Sequence, residues 1–133
     1  MSNGNAAIVR ALYDSLSRGD VDAVLGAMDA KVQWNLAENF PYADGNPFVG
    51  PLAVLEKVFA RVPADWESFA HRIDKVVADG DTVVVLGRYN ARSKATGKQV
   101  DAQMVHVWEL ADGKVIRFQQ YTDTAQWRDA GRG

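Results

Sequence analysis

Apolar positions in the first part of the chain repeat with the period of a helix, and in the second part with the alternation of strands. Ile8, Leu12 and Leu16, with Val9 and Tyr13 beside them, mark one face of a helix that stops at Gly19. Asp20 is placed to cap a second helix burying Val21, Val24, Leu25 and Met28. The chain then turns at Asp29-Ala30 into a short strand, 32–36, that carries Trp34. Gly50-Pro51 opens a third helix, because proline in a first turn gives up no hydrogen bond. Leu52, Leu55, Val58, Phe59 and Val62 form its buried stripe and Pro63 ends it. The segment between, 37–50, is irregular and holds Asn39, Phe40, Pro41, Tyr42, Gly45, Asn46 and Pro47; aromatic residues in such a loop predict a mouth or lid.

Strands follow: 67–77, a turn at 78–81 containing Asp79-Gly80, then 82–91, a polar turn at 92–98 and a long hairpin at 99–122. A short helix at 123–130 closes the pattern, and 131–133 should fray. Asp112-Gly113 between alternating apolar runs is a strong hairpin signal. With a two-residue turn, Ala111 faces Lys114, Val107 meets Phe118, Val105 meets Gln120, and Gln103 meets Thr122. That face is apolar with amides along it. The other carries Met104, His106 and Trp108 opposite Tyr121, Gln119 and Arg117, and is too aromatic to be left wholly in water. A three-residue turn with a bulged glycine would shift every partner by one. In the strand 82–91 both faces are apolar, so the sheet needs cover on both sides. Three helices cover one side, which predicts a homodimer through the other.

Composition narrows the function classes. At 133 residues the chain is one domain, 1–133, able to bury a single core. A net charge of -2 without runs of like charge gives no footprint for nucleic acid. The absence of cysteine excludes disulfides and thiolate chemistry and suits a reducing, cytoplasmic setting. The first five residues lack the basic and apolar regions of a signal peptide, and no apolar run approaches the roughly 20 residues that span a bilayer. His71 and His106 are the only histidines and form no ligand-spaced set with carboxylates, so no metal is expected.

The order helix, helix, short strand, loop ending in Gly-Pro, helix and four long antiparallel strands resembles the nuclear transport factor 2-like superfamily, specifically its SnoaL-like branch. The resemblance spans about 6–127. Its most telling pieces are Gly19-Asp20, Phe48-Val49-Gly50-Pro51, Val105-His106-Val107-Trp108, Asp112-Gly113-Lys114-Val115 and Tyr121-Thr122-Asp123. It implies an α+β fold, a cone-shaped cystatin-like roll in which three N-terminal helices pack in the concave face of a curved, mainly antiparallel sheet. The interior of such a cone is an apolar pocket, and dimers form through the convex face. The scaffold hosts isomerases, hydrolases, cyclases, dehydratases and non-enzymatic adaptors, so it does not fix the chemistry.

Each chemistry can be tested residue by residue. Ketosteroid isomerases use an aspartate base with a tyrosine and a protonated aspartic acid as the oxyanion hole. Those positions fall on Leu36, on Leu12 with Tyr13 one residue off, and on Val105, so all three groups are missing. Limonene-epoxide hydrolases resemble the same scaffold and activate water with an Arg-x-Asp pair and a second aspartate. Arg88-Tyr89-Asn90 and Gln120 match that layout with amides for the acids, and Asn39, in Glu38-Asn39-Phe40-Pro41, matches the water-holding asparagine. An amide orients water but takes no proton at neutral pH. Polyketide cyclases of the SnoaL type place an acid–base aspartate near the end of the last strand, where Asp123 stands, although an aspartate before a terminal helix also reads as its cap.

The expectation is therefore a cone that binds a small, largely hydrophobic molecule without a cofactor. Tyr13, Trp34, Phe40, Tyr42, Phe59, Val105 and Phe118 are its expected walls, with Arg88, Asn90, Gln103 and Gln120 as polar anchors. Isomerisation, cyclisation, dehydration or hydrolysis would fall to Asp123, Glu38 or Asn39. His106 is expected on the convex face, at a dimer interface. The alternative is a non-enzymatic dimeric interaction module whose cone is filled by its own side chains.

Overall fold

A computed structural model describes residues 4–131. Met1–Asn3, part of the stretch read for a signal peptide, lie outside the described residues, as do Arg132 and Gly133 of the tail expected to fray. The chain runs α1 (Gly4–Ser17), α2 (Val21–Gly26), β1 (Met28–Asn35), β2 (Phe48–Val49), α3 (Pro51–Val54), α4 (Arg61–Asp65), β3 (Trp66–Asp79), β4 (Thr82–Ser93), β5 (Gln99–Ala111), β6 (Lys114–Thr122) and α5 (Thr124–Ala130). Six strands form one open, curved sheet in the order β2-β1-β6-β5-β4-β3, antiparallel except where β1 lies parallel to β6. The fold is thus the expected α+β roll. No helix of the described residues is long and apolar enough to cross a membrane.

Local chemistry accounts for several boundaries. The Asp20 carboxylate accepts the backbone N–H of Ala23, 3.2 Å away, and starts α2. Met28, expected in α2, instead opens β1. The third helix is not continuous. A wide π turn spans Leu55–Phe59 between α3 and α4. The turn shifts the helical wheel, so Val54 and Val58 carry the burial while Leu52, expected in the stripe, is 64% exposed. Pro63 sits inside α4 rather than ending it, which is tolerated because first-turn N–H groups have no intrahelical partner.

The hairpin corrects the expected facing. Asp112 and Gly113 both have positive φ, 51° and 78°, the mirror-type turn that suits the twist of two strands, and Ala111 pairs with Lys114 as expected. Beyond Leu110, however, the register slips. Glu109 pairs with Arg117 and Leu110 with Val115, so Ile116 is an extra residue on β6. Beyond this bulge Trp108 faces Phe118, His106 faces Gln120 and Met104 faces Thr122. His106 and Trp108 therefore point into the cone, and Gln103 and Val105 point away from it.

Candidate functional site

The concave side of the sheet, α1 and the α3–α4 arm enclose a cavity of about 740 Å3. This lies within the range of small-molecule sites, roughly 300–1,000 Å3. Its exposed lining residues, Arg10, Asp14, Ser17, Gly19, Pro63 and Ala70, mark an opening between α1 and the corner where α4 meets β3. The deeper walls are aromatic. Trp34 stacks on Phe118 at 3.9 Å between ring centres, and Trp108 meets both edge-on at 5.6 and 4.7 Å.

Polar atoms converge at one place among these rings. His106 lies between two tyrosines, its Nδ1 2.5 Å from the Tyr13 hydroxyl and its Nε2 2.5 Å from that of Tyr89. Trp108 Nε1–H donates to the Tyr13 oxygen at 2.9 Å, and Gln120 Nε2–H donates to the Tyr89 oxygen at 2.8 Å. The Gln120 orientation is fixed because its Oε1 accepts the Ala37 backbone N–H at 3.0 Å, a group that can only donate. His71 completes the cluster, its ring 5.2 Å from Tyr89 and 5.8 Å from both Tyr13 and His106. Burial raises the pKa of Tyr13 and Tyr89. It lowers that of His71 to about 4, and that of His106 well below the ordinary value, with the neighbouring His71 adding to the latter effect. At neutral pH the whole cluster is uncharged.

This predicts acid sensitivity with a defined window. An unfolded histidine titrates near 6.5, whereas these two resist protonation in the native state. The unfolded chain therefore binds more protons below about pH 6.5, and stability present above that pH is lost as pH falls toward the native pKa of about 4 for His71. Each histidine contributes a slope of up to about 1.4 kcal/mol per pH unit. Urea unfolding at pH 7.5 and pH 5 is expected to show this loss, and His71→Gln to reduce it. Equal stability at the two pH values would contradict the burial of both rings.

Of the expected wall and anchor residues, Tyr13, Trp34, Phe40, Tyr42, Phe59, Phe118 and Gln120 line the cavity. The Tyr42 hydroxyl is committed elsewhere: it donates to Asp65 at 2.7 Å and accepts from Trp66 Nε1–H at 3.1 Å. The loop 37–47 is tied down rather than poised as a lid, since the Asn46 side chain bonds both the N–H and the carbonyl of Leu36, at 3.0 and 2.7 Å.

Four expected lining residues are displaced by strand alternation. Arg88 and Asn90 flank the inward Tyr89 and therefore point outward, Arg88 pairing with Asp101 at 2.7 Å. Gln103 and Val105 flank inward Met104 for the same reason, reversed by the Ile116 bulge. The candidate catalytic groups also lie outside. Glu38 borders a separate polar recess with Gln119 and Tyr121, and Asn39 is exposed in a left-handed turn with φ 72°. Asp123 occupies the N-cap position of α5, but its carboxylate accepts the Gln126 amide at 3.0 Å instead of a backbone N–H. The family counts shift by one as well. Tyr13 rather than Leu12, and His106 rather than Val105, present polar groups to the cavity, while Leu36 does line it. His71, Tyr89 and His106 line the cavity without having been expected there; for His106 the sequence signal was the aromatic character of the Met104, His106, Trp108 face.

The chain belongs to the SnoaL-like domain family, whose model matches residues 9–118. Among solved structures it is similar to a nuclear transport factor 2-like protein from Burkholderia thailandensis E264, with 28% identity, full coverage of both chains and a TM-score of 0.93. A second such protein, from Burkholderia pseudomallei K96243, shares 26% identity over 99% of this chain and 100% of its own, with a TM-score of 0.91. TerC, co-crystallised with polyporic acid, has the same fold at 24% identity, covering 98% of this chain and 100% of its own, with a TM-score of 0.87. No curated protein matches the chain in sequence.

Proposed function

We propose that this SnoaL-like protein binds a small, flat, largely hydrophobic molecule in its cone. The carrying observation is the cavity of about 740 Å3, walled by Trp34, Trp108 and Phe118, whose polar groups inside the mouth converge on the Tyr13, His71, Tyr89, His106 and Gln120 cluster. A cone serving only as scaffold has no use for that volume, and empty apolar space costs stability. TerC, with the same fold, was crystallised with polyporic acid, which agrees with a small-molecule role. The buried cluster contains no ionised carboxylate to act as a strong base, so any acid–base step there would fall to the neutral histidines and tyrosines. Exposed Val77, Leu86 and Tyr121 support pairing of two copies through the sheet.

The test is binding of 2-isopropenylnaphthalene, read by quenching of Trp34 and Trp108. Saturable binding of one molecule per chain is expected, with at least a tenfold loss in Leu36→Trp, whose larger side chain occupies the cavity. A cooperative melt checks that this variant folds. Binding that fails to saturate, or that ignores Leu36→Trp, would remove the small-molecule reading.

A further inference from the structure

Charge is distributed unevenly along the cavity. In its depth, burial keeps His71 and His106 unprotonated and Tyr13 and Tyr89 protonated, so all four are neutral. Among the described residues, Arg10 and Asp14 are the only charged side chains that line it, and both stand at the opening, on α1. An ion drawn into the neutral end would give up its water and meet no counter-charge, which is costly. A charged group on a ligand is therefore admitted only at the opening. That opening is not neutral. Arg10 and Asp14 lie one helical turn apart, and Arg18, one turn further along, completes a row of two cations and one anion. By spacing alone Asp14 could serve either arginine, and it pairs with Arg18. The Ser17 hydroxyl is committed too, donating to the Asp14 carbonyl at 2.7 Å. Arg10 has neither a hydrogen bond nor an ion pair among the described residues. The row thus leaves one positive charge at the entrance, in a chain whose net charge is -2.

We infer that Arg10 receives the carboxylate of an amphipathic ligand, whose flat apolar body lies in the cone and whose acid end emerges between α1 and the corner of α4 and β3. The inference rests on the proposed small-molecule site and narrows its ligand class from flat hydrophobic molecules to flat hydrophobic acids. The guanidinium suits that role, because its planar fork of N–H donors matches the two oxygens of a carboxylate. The pair stays in contact with water, so neither ion is fully desolvated and the gain in affinity is small. Its larger effect is on orientation. The ring system enters first, against Trp34 and Phe118, and the acid stays at the entrance.

The test compares 4-(2-naphthyl)butanoate with 4-(2-naphthyl)butanamide, which has nearly the same shape and no charge, at pH 7.5. At about 10 mM salt the wild-type protein is expected to bind the acid roughly threefold more tightly, the ratio given by one exposed ion pair. The preference should fade toward parity at about 300 mM salt, as screening requires. Arg10→Gln is expected to bind acid and amide alike. Asp14→Asn is expected to widen the preference, since it removes the anion nearest the site. All three side chains of the row are solvent-exposed, and a cooperative melt checks that each variant is folded. Equal affinities of acid and amide in the wild type at low salt, a preference that survives Arg10→Gln or high salt, or one that narrows in Asp14→Asn would each overturn the role of Arg10. In those cases binding of 2-isopropenylnaphthalene would leave the small-molecule reading standing. Failure of all three probes to bind would defeat that reading and this inference with it.

Discussion

Replacing Trp127 with alanine is expected to lower the unfolding free energy by roughly 3–5 kcal/mol, the range for removing a buried aromatic ring. Trp127 is completely buried. Its ring lies 5.1 Å from Phe40, 5.0 Å from Trp66, 5.4 Å from Phe69 and 5.1 Å from Tyr89, and its Nε1–H donates to Thr122. Four separate elements of the chain meet on this one side chain. The loss would not stop at stability. Tyr89 is held between Trp127 and His106, so the empty space also loosens the polar cluster that faces the cavity. Urea denaturation of Trp127→Ala beside Trp127→Phe checks the expectation, the phenylalanine variant recovering most of the loss. A loss below about 1 kcal/mol for alanine would show that α5 is not part of the cooperative core.

Gly87→Ala is the second large effect expected, about 3 kcal/mol, at the upper end for overpacking. A methyl group at this position would stand 1.9 Å from the carbonyl oxygen of Arg72 and 3.3 Å from the Ile73 Cα. Both are backbone atoms, so no rotamer change relieves the clash and two strands must part. Gly87 faces the point where β3 slips register between Ile73 and Lys75, leaving Asp74 as an extra residue. This close approach of β3 and β4 lies two residues from His71, which lines the cavity. Gly87→Ala should therefore also disturb ligand binding, measured with 2-isopropenylnaphthalene under conditions where the variant remains folded. A variant as stable as wild type would mean that β3 can shift outward without penalty.

The order of elements was legible because it depends on short-range chemistry. Asp20, Gly19 and the Asp112-Gly113 turn each impose a local geometry whatever the rest of the chain does. The resemblance carried by those pieces fixed the family. Half of the cavity was legible too, since Tyr13, Trp34 and Phe118 are large apolar groups in patterned elements. What failed was facing. In β4, Arg88 and Asn90 looked chemically more interesting than Tyr89 between them, but a curved sheet buries the tyrosine and leaves the ion pair outside. In β5, the choice between Val105 and His106 depended on one bulged residue that alternation alone does not reveal. The third helix erred for a similar reason, because the extra residue of a π turn has no signature in apolar spacing. In each case one residue was added or passed over, and every side chain beyond it changed sides.

The bulge at Ile116 carries a consequence for inheritance. Between the turn and the cavity the hairpin keeps its reading frame in space by spending one residue that touches neither. An in-frame loss of that single codon would leave every cavity side chain present in the gene, yet would set the strand beyond it one step out of phase with Trp108 and His106. Relatives that differ in hairpin length must therefore be compared from the far end of β6, starting at Gln120, and not outward from the glycine of the turn. Length as well as residue identity is part of what this site must transmit from one generation of sequences to the next.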